Sequence, residues 1–390
     1  MERLSKSCED IEQTVPLKQV ANEGQKLTTL QRLKIIKNNV TIEPPAVLYF
    51  IASFITAAGM QNLNLEKACK TNLGFDEHVC TSLRLRQRAN LTYEEDEVQK
   101  LVASVEAWRS AIYSAFPIIL MAFLGAWSDK MGKRRICMLM PIGGEFITCV
   151  LYIVNTYFDS VNVEWTSLMG TFFLSITGAW SVMLLGCYSY ISDITTTENR
   201  TSRLGALTLG LNITHPIGVG LSGIMLEYTG YYGVFGITGL VQLLNFLYIY
   251  YYTEDHVPGY KPKVRIDGRR FITDCFIDII FVVIRPKKNM MKTCFLFFPG
   301  KVYSLFGLSE ISTMLIFVPI YARVYIATLH IFPGACYLFT VLFSIPALLI
   351  FVGETINEMS LSVTPRGNKR RVIHDSRTLF LTSSRHVSAR

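Results

Sequence analysis

The sequence predicts an all-α integral membrane protein with about eight transmembrane helices, arranged as a six-helix bundle followed by an incomplete second half. Half of the residues are hydrophobic and 17% are charged, which is below the roughly 25% charge of typical globular chains. Apolar runs of about twenty residues, the length that crosses a bilayer as a helix, recur along the chain. The cations fall between these runs, so the net charge of +8 does not indicate nucleic-acid binding.

The apolar runs define the expected spans and the segments that flank them. Residues 1–43 are polar, with seven Lys/Arg against six Asp/Glu, and are expected to form a cytoplasmic arm without a cleavable signal peptide. The bundle is expected at 44–252, with spans at about 45–65, 103–127, 136–157, 166–191, 205–226 and 231–252. A partial carboxyl-terminal bundle at 293–352 is expected to hold two more spans, at about 303–322 and 331–352, before a basic cytoplasmic tail at 353–390.

The connections between spans predict the orientation of the bundle. Those at 128–135, 193–204 and 253–292 are rich in Lys and Arg, whereas those at 158–165 and 227–232 contain none. Cytoplasmic loops carry such an excess of cations, so the amino terminus and the central loop 253–292 are expected in the cytoplasm. The loop 66–100 is then extracellular or luminal. The apolar run 276–284 is too short to span and predicts an interfacial helix.

A charged turn separates the second and third spans. It reads Gly125-Ala-Trp-Ser-Asp129-Lys-Met-Gly132-Lys133-Arg134-Arg. Glycines allow close helix approach and positive φ, and Asp129 can cap a helix N-terminus. The turn resembles the loop between helices two and three of the major facilitator superfamily, whose pattern is roughly G-x-x-x-D-x-x-G-R/K-R/K. The resemblance implies a conformational-switch motif made by Gly125, Asp129, Gly132, Lys133 and Arg134.

A second motif follows the fourth span. Ser189-Tyr-Ile-Ser-Asp193-Ile-Thr precedes Arg200 and Arg203, and the three charged residues predict a cytoplasmic cluster; local capping and pairing by Asp193 is the alternative. With the rest of residues 40–290, the run resembles the group of the proton-coupled folate transporter and the thymic stromal cotransporter, solute carrier family 46. The resemblance implies twelve helices, so the last four are expected to be missing. It also implies a second-half helix terminus that meets Asp129, and we expect that partner to be absent.

The first loop holds two cysteines and a glycosylation sequon, which are features typical of extracellular or luminal loops. Cys69 and Cys80 share this polar loop with the glycosylation sequon at Asn90. An oxidising compartment permits a disulfide between the two cysteines, and two free thiols are the alternative. The sequon lies on the non-cytoplasmic side of the predicted topology.

Ionisable groups within the spans are candidates for a substrate or proton site, because such groups are costly in a membrane. Glu145 predicts either a protonation site or a helix–helix hydrogen bond. His215 either titrates or pairs with the carbonyl that Pro216 frees. Arg109 and Glu106 are three residues apart on one helix face, which predicts a pair at an entrance or an interfacial position.

These features favour a secondary active transporter of a small organic anion, folate-like by resemblance, with protons as the candidate coupling ion and alternating access as the mechanism. The alternative is a truncated, non-transporting membrane protein that associates with a full-length relative. No nucleophile–base constellation or metal-ligand cluster predicts an enzyme, and no cofactor or metal is expected. The partners are the lipid bilayer and a small solute. The plasma membrane is favoured over an endosomal or lysosomal membrane, and oligomeric state is left open.

Overall fold

A computed structural model of the chain describes residues 41–84, 91–195, 197–255 and 299–329, together with separate residues between 338 and 353. All regular structure in these ranges is helical, which confirms the predicted all-α class. The chain divides into two compact units, 1–320 and 321–390. Every residue of the candidate site lies in the first unit.

Eight α-helices lie within the ranges 41–84, 91–195, 197–255 and 299–329. They are α1 (Glu43–Lys67), α2 (Glu77–Arg84), α3 (Thr92–Met131), α4 (Arg135–Tyr157), α5 (Val163–Ile176), α6 (Ala179–Ile194), α7 (Thr197–Tyr252) and α8 (Pro299–Thr328). A π-helical turn, Ala68–Asn72, continues α1. Within the described ranges, six helical stretches are long and apolar enough to cross a membrane: α1 with its π-turn, α3, α4, α5 with α6, α7, and α8.

Two glycines interrupt the helices at positions that matter for the span assignment. Gly178 has a φ of 86° and separates α5 from α6, so the predicted span 166–191 is a broken helix. Gly230 has a φ of 63° within α7. At about 1.5 Å per residue, the 56 residues of α7 are far longer than one bilayer crossing. The break at Gly230 lies where the sequence predicts the connection between its two spans.

Helix α3 begins at Thr92, well before the predicted span 103–127. Its first turn is acidic, which stabilises a helix N-terminus. Val98 and Val105 then lie on one face and pack against the cysteines of the preceding loop. A criterion based on apolar length misses this extension, because the remaining faces of the helix are polar.

The bundle is built by packing α1 against α7, α4 against α6 and α7, and α3 against α5. Its largest buried cluster joins α1, α4, α6 and α7. That cluster contains Ile42, Ala46, Tyr49, Phe50, Met138, Ile142, Met183, Cys187, Ile191, Leu207 and Ile249. Many large apolar side chains on α7 are exposed instead, including Leu209, Ile224 and Leu244, as expected for a surface that faces lipid.

Several predicted segments lie outside the described residues. These are almost the whole arm 1–43, the connection 253–292 beyond residue 255 with its apolar run 276–284, much of the span 331–352, and the tail after residue 353.

Candidate functional site

The turn between α3 and α4 is shaped by Gly132, which follows the last residue of α3. Gly132 has a φ of 66° and donates its backbone N–H to the Ser128 carbonyl oxygen at 2.9 Å. A glycine in this left-handed conformation is common at the carboxyl-terminal end of a helix. Only two further residues precede α4. Lys133 is exposed, whereas Arg134 is 5% exposed and points into the bundle.

The Arg134 guanidinium makes three hydrogen bonds inside the protein. Its Nε donates to Asp193 Oδ2 at 2.7 Å, and one terminal nitrogen donates to Asp129 Oδ1 at 2.7 Å. The other terminal nitrogen donates to the Ser128 hydroxyl at 2.6 Å. The rigid fork of an arginine can satisfy such partners simultaneously. The arginine therefore connects the hairpin to the end of α6.

Charge balance keeps Arg134 ionised despite its burial. Burial alone lowers the pKa of the Arg134 guanidinium, but the Asp129 and Asp193 carboxylates outweigh this effect and raise the pKa above its usual value. A buried charge that loses its partner is strongly destabilising, typically by about 3–5 kcal/mol. The three side chains therefore act as one electrostatic unit, here called the Arg134 network.

Asp129 also binds the first turn of α8. Its Oδ1 accepts the backbone N–H of Gly300 at 2.9 Å, and its Oδ2 accepts that of Lys301 at 2.8 Å. The first amides of a helix lack partners within the helix, and the partial positive charge there favours an anion. Asp129 thus caps α8 from another part of the chain. The implied partner of Asp129 was expected to be absent, and the structure brings the first turn of α8 to this position.

Two glycines allow α3 and α8 to approach closely. A Cβ added to Gly300 would lie 2.6 Å from Asp129 Oδ1 and 2.7 Å from the Gly125 carbonyl oxygen. A Cβ added to Gly125 would lie 2.8 Å from the Gly300 carbonyl oxygen. One turn later, the Ser304 hydroxyl donates to the Met121 carbonyl. The contact between Asp129 and α8 therefore depends on the absence of side chains at this crossing.

The residues of the predicted charge cluster lie at the end of α6 and the start of α7. Asp193 binds the hairpin arginine. Arg200 donates to the Ser192 carbonyl oxygen at 2.8 Å, and Arg203 donates to Glu43 Oε1 at 2.7 Å. Because α7 begins at residue 197, its second turn lies beside the start of α1. Asp193 and Arg203 thus take part in two ion pairs at the same end of the bundle, and Arg200 binds the backbone next to Asp193.

Sequence reasoning missed three residues of this region. Ser128 immediately precedes the motif aspartate, and Glu43 stands at the first turn of α1, the position where an acid is favourable. The positions of both residues in the sequence could therefore have indicated their roles. Tyr303 shares a hydrogen bond of 3.1 Å with the Ser192 hydroxyl and stacks on Tyr188 with ring centroids 5.2 Å apart. Nothing in the local sequence indicates that contact, because it depends on where α8 packs against α6.

The neighbouring cation of the hairpin makes a separate set of contacts. The backbone N–H of Arg135 donates to Asp255 Oδ1 at 2.8 Å, and its guanidinium donates to the carbonyl oxygens of Tyr250 and Thr253 at 3.1 and 3.3 Å. These contacts join the start of α4 to the end of α7.

The candidate residues within the spans have different partners. Glu145 lies in the middle of α4 and is 5% exposed. Arg109 pairs with Glu106 one turn earlier and donates to the Thr171 hydroxyl at 3.4 Å. The predicted pair on one face of α3 is therefore present, and it reaches α5.

His215 is exposed on α7, with its ring edge-on to Phe54 and the ring centroids 4.7 Å apart. Within the ranges that the structure describes, no three His, Cys, Asp or Glu side chains gather as a metal site.

The opposite end of the bundle carries the predicted cysteine pair. Cys69 and Cys80 form a disulfide with their Cα atoms 5.8 Å apart. It lies beside a cavity of about 330 Å³ bounded by α1, α2 and α3. Asn90 lies outside the described residues.

A polar contact next to this disulfide joins α1 to α5. The Asn72 side-chain oxygen accepts the backbone N–H of Val163 at 3.0 Å, and its nitrogen donates to the Glu164 carboxylate at 2.8 Å. Asn72 thus supplies the cap that the first turn of α5 needs. Nearby, the buried Lys67 ammonium donates to the Phe158 carbonyl oxygen at 2.6 Å.

Residues 49–373 match the family described as Major Facilitator Superfamily. The chain is 22% identical over 195 residues to the Drosophila melanogaster "Probable peptidoglycan muropeptide transporter SLC46", which covers 49% of this chain and 38% of the relative. It is 31% identical over 116 residues to the class D tetracycline resistance protein of Salmonella ordonez, covering 29% and 27%. A solved auto-inhibited POT family peptide transporter is 13% identical, with a TM-score of 0.35, over 74% of this chain and 56% of that chain. The chain spans less than two-fifths of the length of these curated relatives.

Proposed function

The chain belongs to the major facilitator superfamily, and we propose from this membership that it is a secondary active transporter that moves a small organic anion across a membrane by alternating access. In such a cycle, groups of helices rock around a central site and open it to one side at a time. The cycle requires contacts at one end of the bundle that form in one state and separate in the other.

The observation that supports this proposal best is the Arg134 network together with the cap on α8. Arg134 binds Asp193 at the end of α6, while Asp129 binds the first amides of α8. Three segments distant in sequence are therefore held at one end by a few polar contacts. Such contacts can dissociate when water enters, because hydration replaces the lost hydrogen bonds. In our proposal this end is cytoplasmic and its contacts close the site on that side.

The proposed substrate class rests on similarity rather than on a cavity. The sequence motifs resemble a group that includes a folate transporter, and a relative carries the name of a muropeptide transporter. Folates carry carboxylates, so an organic anion is the class we propose. Proton symport is the coupling that we propose, with Glu145, His215 and Arg109 as the candidate residues.

Uptake into vesicles containing the full chain tests the proposal. A radiolabelled folate and a labelled muropeptide serve as probes, at acidic and neutral external pH. We expect uptake above that of empty vesicles, stimulated by an inward proton gradient, and a loss of at least tenfold in Arg134→Ala. Lys133→Ala, which removes an exposed cation from the same turn, is the matched control and is expected to retain uptake. Background uptake by the parent chain for both probes contradicts the proposal.

A second candidate function is association with a full-length relative without transport. The observation that favours it is the limited coverage of the curated relatives, 38% for the fly protein. Copurification of tagged chain with a full-length relative, combined with absence of uptake by the chain alone, would support this candidate over the first.

We propose that the protein lies in the plasma membrane. Its cytoplasmic segments are then the arm 1–43, the loop 253–292 and the tail 353–390. The loop 66–100 is proposed to be extracellular and glycosylated at Asn90. The disulfide between Cys69 and Cys80 supports this assignment, because such bonds persist in oxidising compartments.

A further inference from the structure

A cavity of about 330 Å³ lies beside the disulfide, between the end of α1, the short helix α2 and the start of α3. Cavities of roughly 300–1,000 Å³ are the usual size of sites for small molecules. Part of its wall is apolar and consists of the Cys69–Cys80 disulfide, Leu65, Leu83 and Val98. The contacts that support the proposed function do not explain this cavity, because they lie at the opposite end of the bundle.

A second part of the wall carries the Arg84 guanidinium. Arg84 is the last residue of α2, and its side chain is 56% exposed. Its Nη1 lies 3.8 Å from Glu66 Oε2, whereas a charge-assisted hydrogen bond between such groups spans about 2.7–2.9 Å. Glu66 instead accepts a hydrogen bond from Lys70, with 2.9 Å between Nζ and Oε1. The Arg84 guanidinium therefore has N–H donors left for an anionic group of a ligand.

The Glu95 carboxylate lines the same cavity from the first turn of α3. Its Oε1 accepts a hydrogen bond from Gln99 Nε2 at 2.9 Å. A carboxylate can accept about four hydrogen bonds, so this contact is compatible with an ammonium group bound at the same carboxylate. The cavity thus offers a cation from one helix and a carboxylate from another.

The charges around the cavity favour a ligand that carries both signs. A purely anionic ligand would be repelled by Glu66 and Glu95. A purely cationic ligand would be repelled by Arg84 and by Lys70, which binds Glu66. Because Arg84 and Glu95 belong to different helices, the two charges of the ligand should lie apart, with an apolar portion between them. A short peptide with free termini has this arrangement.

We propose that the cavity binds a short zwitterionic peptide. Arg84 binds the carboxylate of the peptide, Glu95 binds its ammonium group, and the apolar wall holds its side chains. This inference goes beyond the proposed function, because binding at this end requires no transport. In the proposed orientation, the peptide reaches the cavity from outside the cell.

The disulfide holds two parts of the cavity wall together. Cys69 lies in the π-turn that continues α1, and Cys80 lies on α2, one helical turn before Arg84. Helix α2 has only eight residues, and isolated helices of this length are marginal in water. The position of Arg84 therefore depends on the disulfide, and reduction of the bond should weaken the binding of the peptide.

Isothermal titration calorimetry of the full chain in detergent tests the site with leucyl-leucine as the probe. The comparison peptides are N-acetyl-leucyl-leucine, which lacks the ammonium group, and leucyl-leucine amide, which lacks the carboxylate. We expect leucyl-leucine to bind and each capped peptide to bind about tenfold more weakly, because each has lost one charge-assisted contact. This comparison uses only the parent chain. Equal affinities for the three peptides, or no binding of leucyl-leucine at millimolar concentration, overturn the proposal.

Two variants assign the charges of the peptide to residues. Arg84→Gln should bind leucyl-leucine and its amide equally, while it still prefers a free ammonium group. Glu95→Gln should bind leucyl-leucine and its N-acetyl form equally, while it still prefers a free carboxylate. Glu94→Gln is the matched control, because Glu94 also lies in the first turn of α3 but does not line the cavity. Preferences that stay unchanged in both Arg84→Gln and Glu95→Gln overturn the assignment.

Reduction of the disulfide provides a further readout. A reductant should lower the affinity of the parent chain for leucyl-leucine, and an unchanged affinity would contradict the role of the Cys69–Cys80 bond. Binding of leucyl-leucine by a chain that moves no anion contradicts the proposed function alone. Uptake by a chain that does not distinguish the three peptides contradicts the peptide site alone.

Discussion

The Asp129 carboxylate accepts a hydrogen bond from the backbone amide of Gly300, although the two residues are 171 positions apart in sequence. The contact joins the charged hairpin to a helix that follows the long central connection. The same carboxylate binds Arg134, so one acidic group serves both as a helix cap and as half of an ion pair. Loss of this group should therefore affect two structural links at once.

Replacing Asp129 should destabilise the bundle more than replacing any exposed charge of the hairpin. Asp129→Ala leaves the Arg134 guanidinium with one carboxylate and leaves two amides of α8 uncapped. Removing one partner of a buried ion pair costs about 3–5 kcal/mol. Thermal unfolding of the purified chain in detergent checks this expectation. Lys133→Ala should lie within about 0.5 kcal/mol of the parent, and equal effects of the two variants would contradict the described burial.

A methyl group at Gly300 should separate α8 from the hairpin. The added Cβ would lie 2.6 Å from Asp129 Oδ1 and 2.7 Å from a terminal nitrogen of Arg134. Overpacking of this kind costs about 1–3 kcal/mol. Gly220→Ala provides the matched control, because a Cβ there would meet no atom within 4 Å. Equal unfolding temperatures for the two variants would show that the close crossing is not required.

The fold class and the hairpin could be predicted because they depend on local sequence. Apolar length marks the spans, and Gly132 at a helix end marks the turn. The partners of the charged residues depend on which helix ends come together. Asp193 binds Arg134 of the hairpin, and Arg203 binds Glu43 at the start of α1. Such pairings are set by tertiary packing and leave no periodic signal in the sequence.

The contact of Asp129 shows the same limit. The resemblance of the hairpin implies that a second-half helix terminus meets Asp129, but that α8 supplies this terminus depends on how α8 crosses α3. Glu145 stands out in the sequence because a charge within an apolar span is rare, whereas its surroundings depend on how the helices pack.

Removing the disulfide should lower stability at the end opposite to the hairpin. Cys69 and Cys80 are 11 residues apart and close a short loop, for which the expected contribution is about 2–3 kcal/mol. Cys69→Ser should lower the unfolding temperature, and a reductant should lower that of the parent by a similar amount. Cys137→Ser, at a buried free thiol, should not remove the sensitivity to reductant. Insensitivity of the parent would argue against the disulfide.

Asn90 and the hairpin should lie on opposite sides of the membrane. The helix α3 between them contains a long apolar segment, and cations near its second end favour the cytoplasm. Glycosidase treatment of the chain made in animal cells should increase its gel mobility, and Asn90→Gln should abolish that shift. Asn199-Arg200-Thr201 is a second sequon, and it lies in the connection 193–204, whose cations predict a cytoplasmic position. Asn199→Gln should therefore retain the shift.

The other side is measured with a thiol introduced at an exposed hairpin position. Lys133→Cys in intact cells should react with an impermeant maleimide only after permeabilisation, compared with the labelling of the parent chain. Labelling before permeabilisation together with glycosylation at Asn90 would place both residues outside the cell. A single membrane crossing by α3 does not allow this arrangement. That result would contradict the orientation and, with it, the assignment of the Arg134 network to the cytoplasmic side.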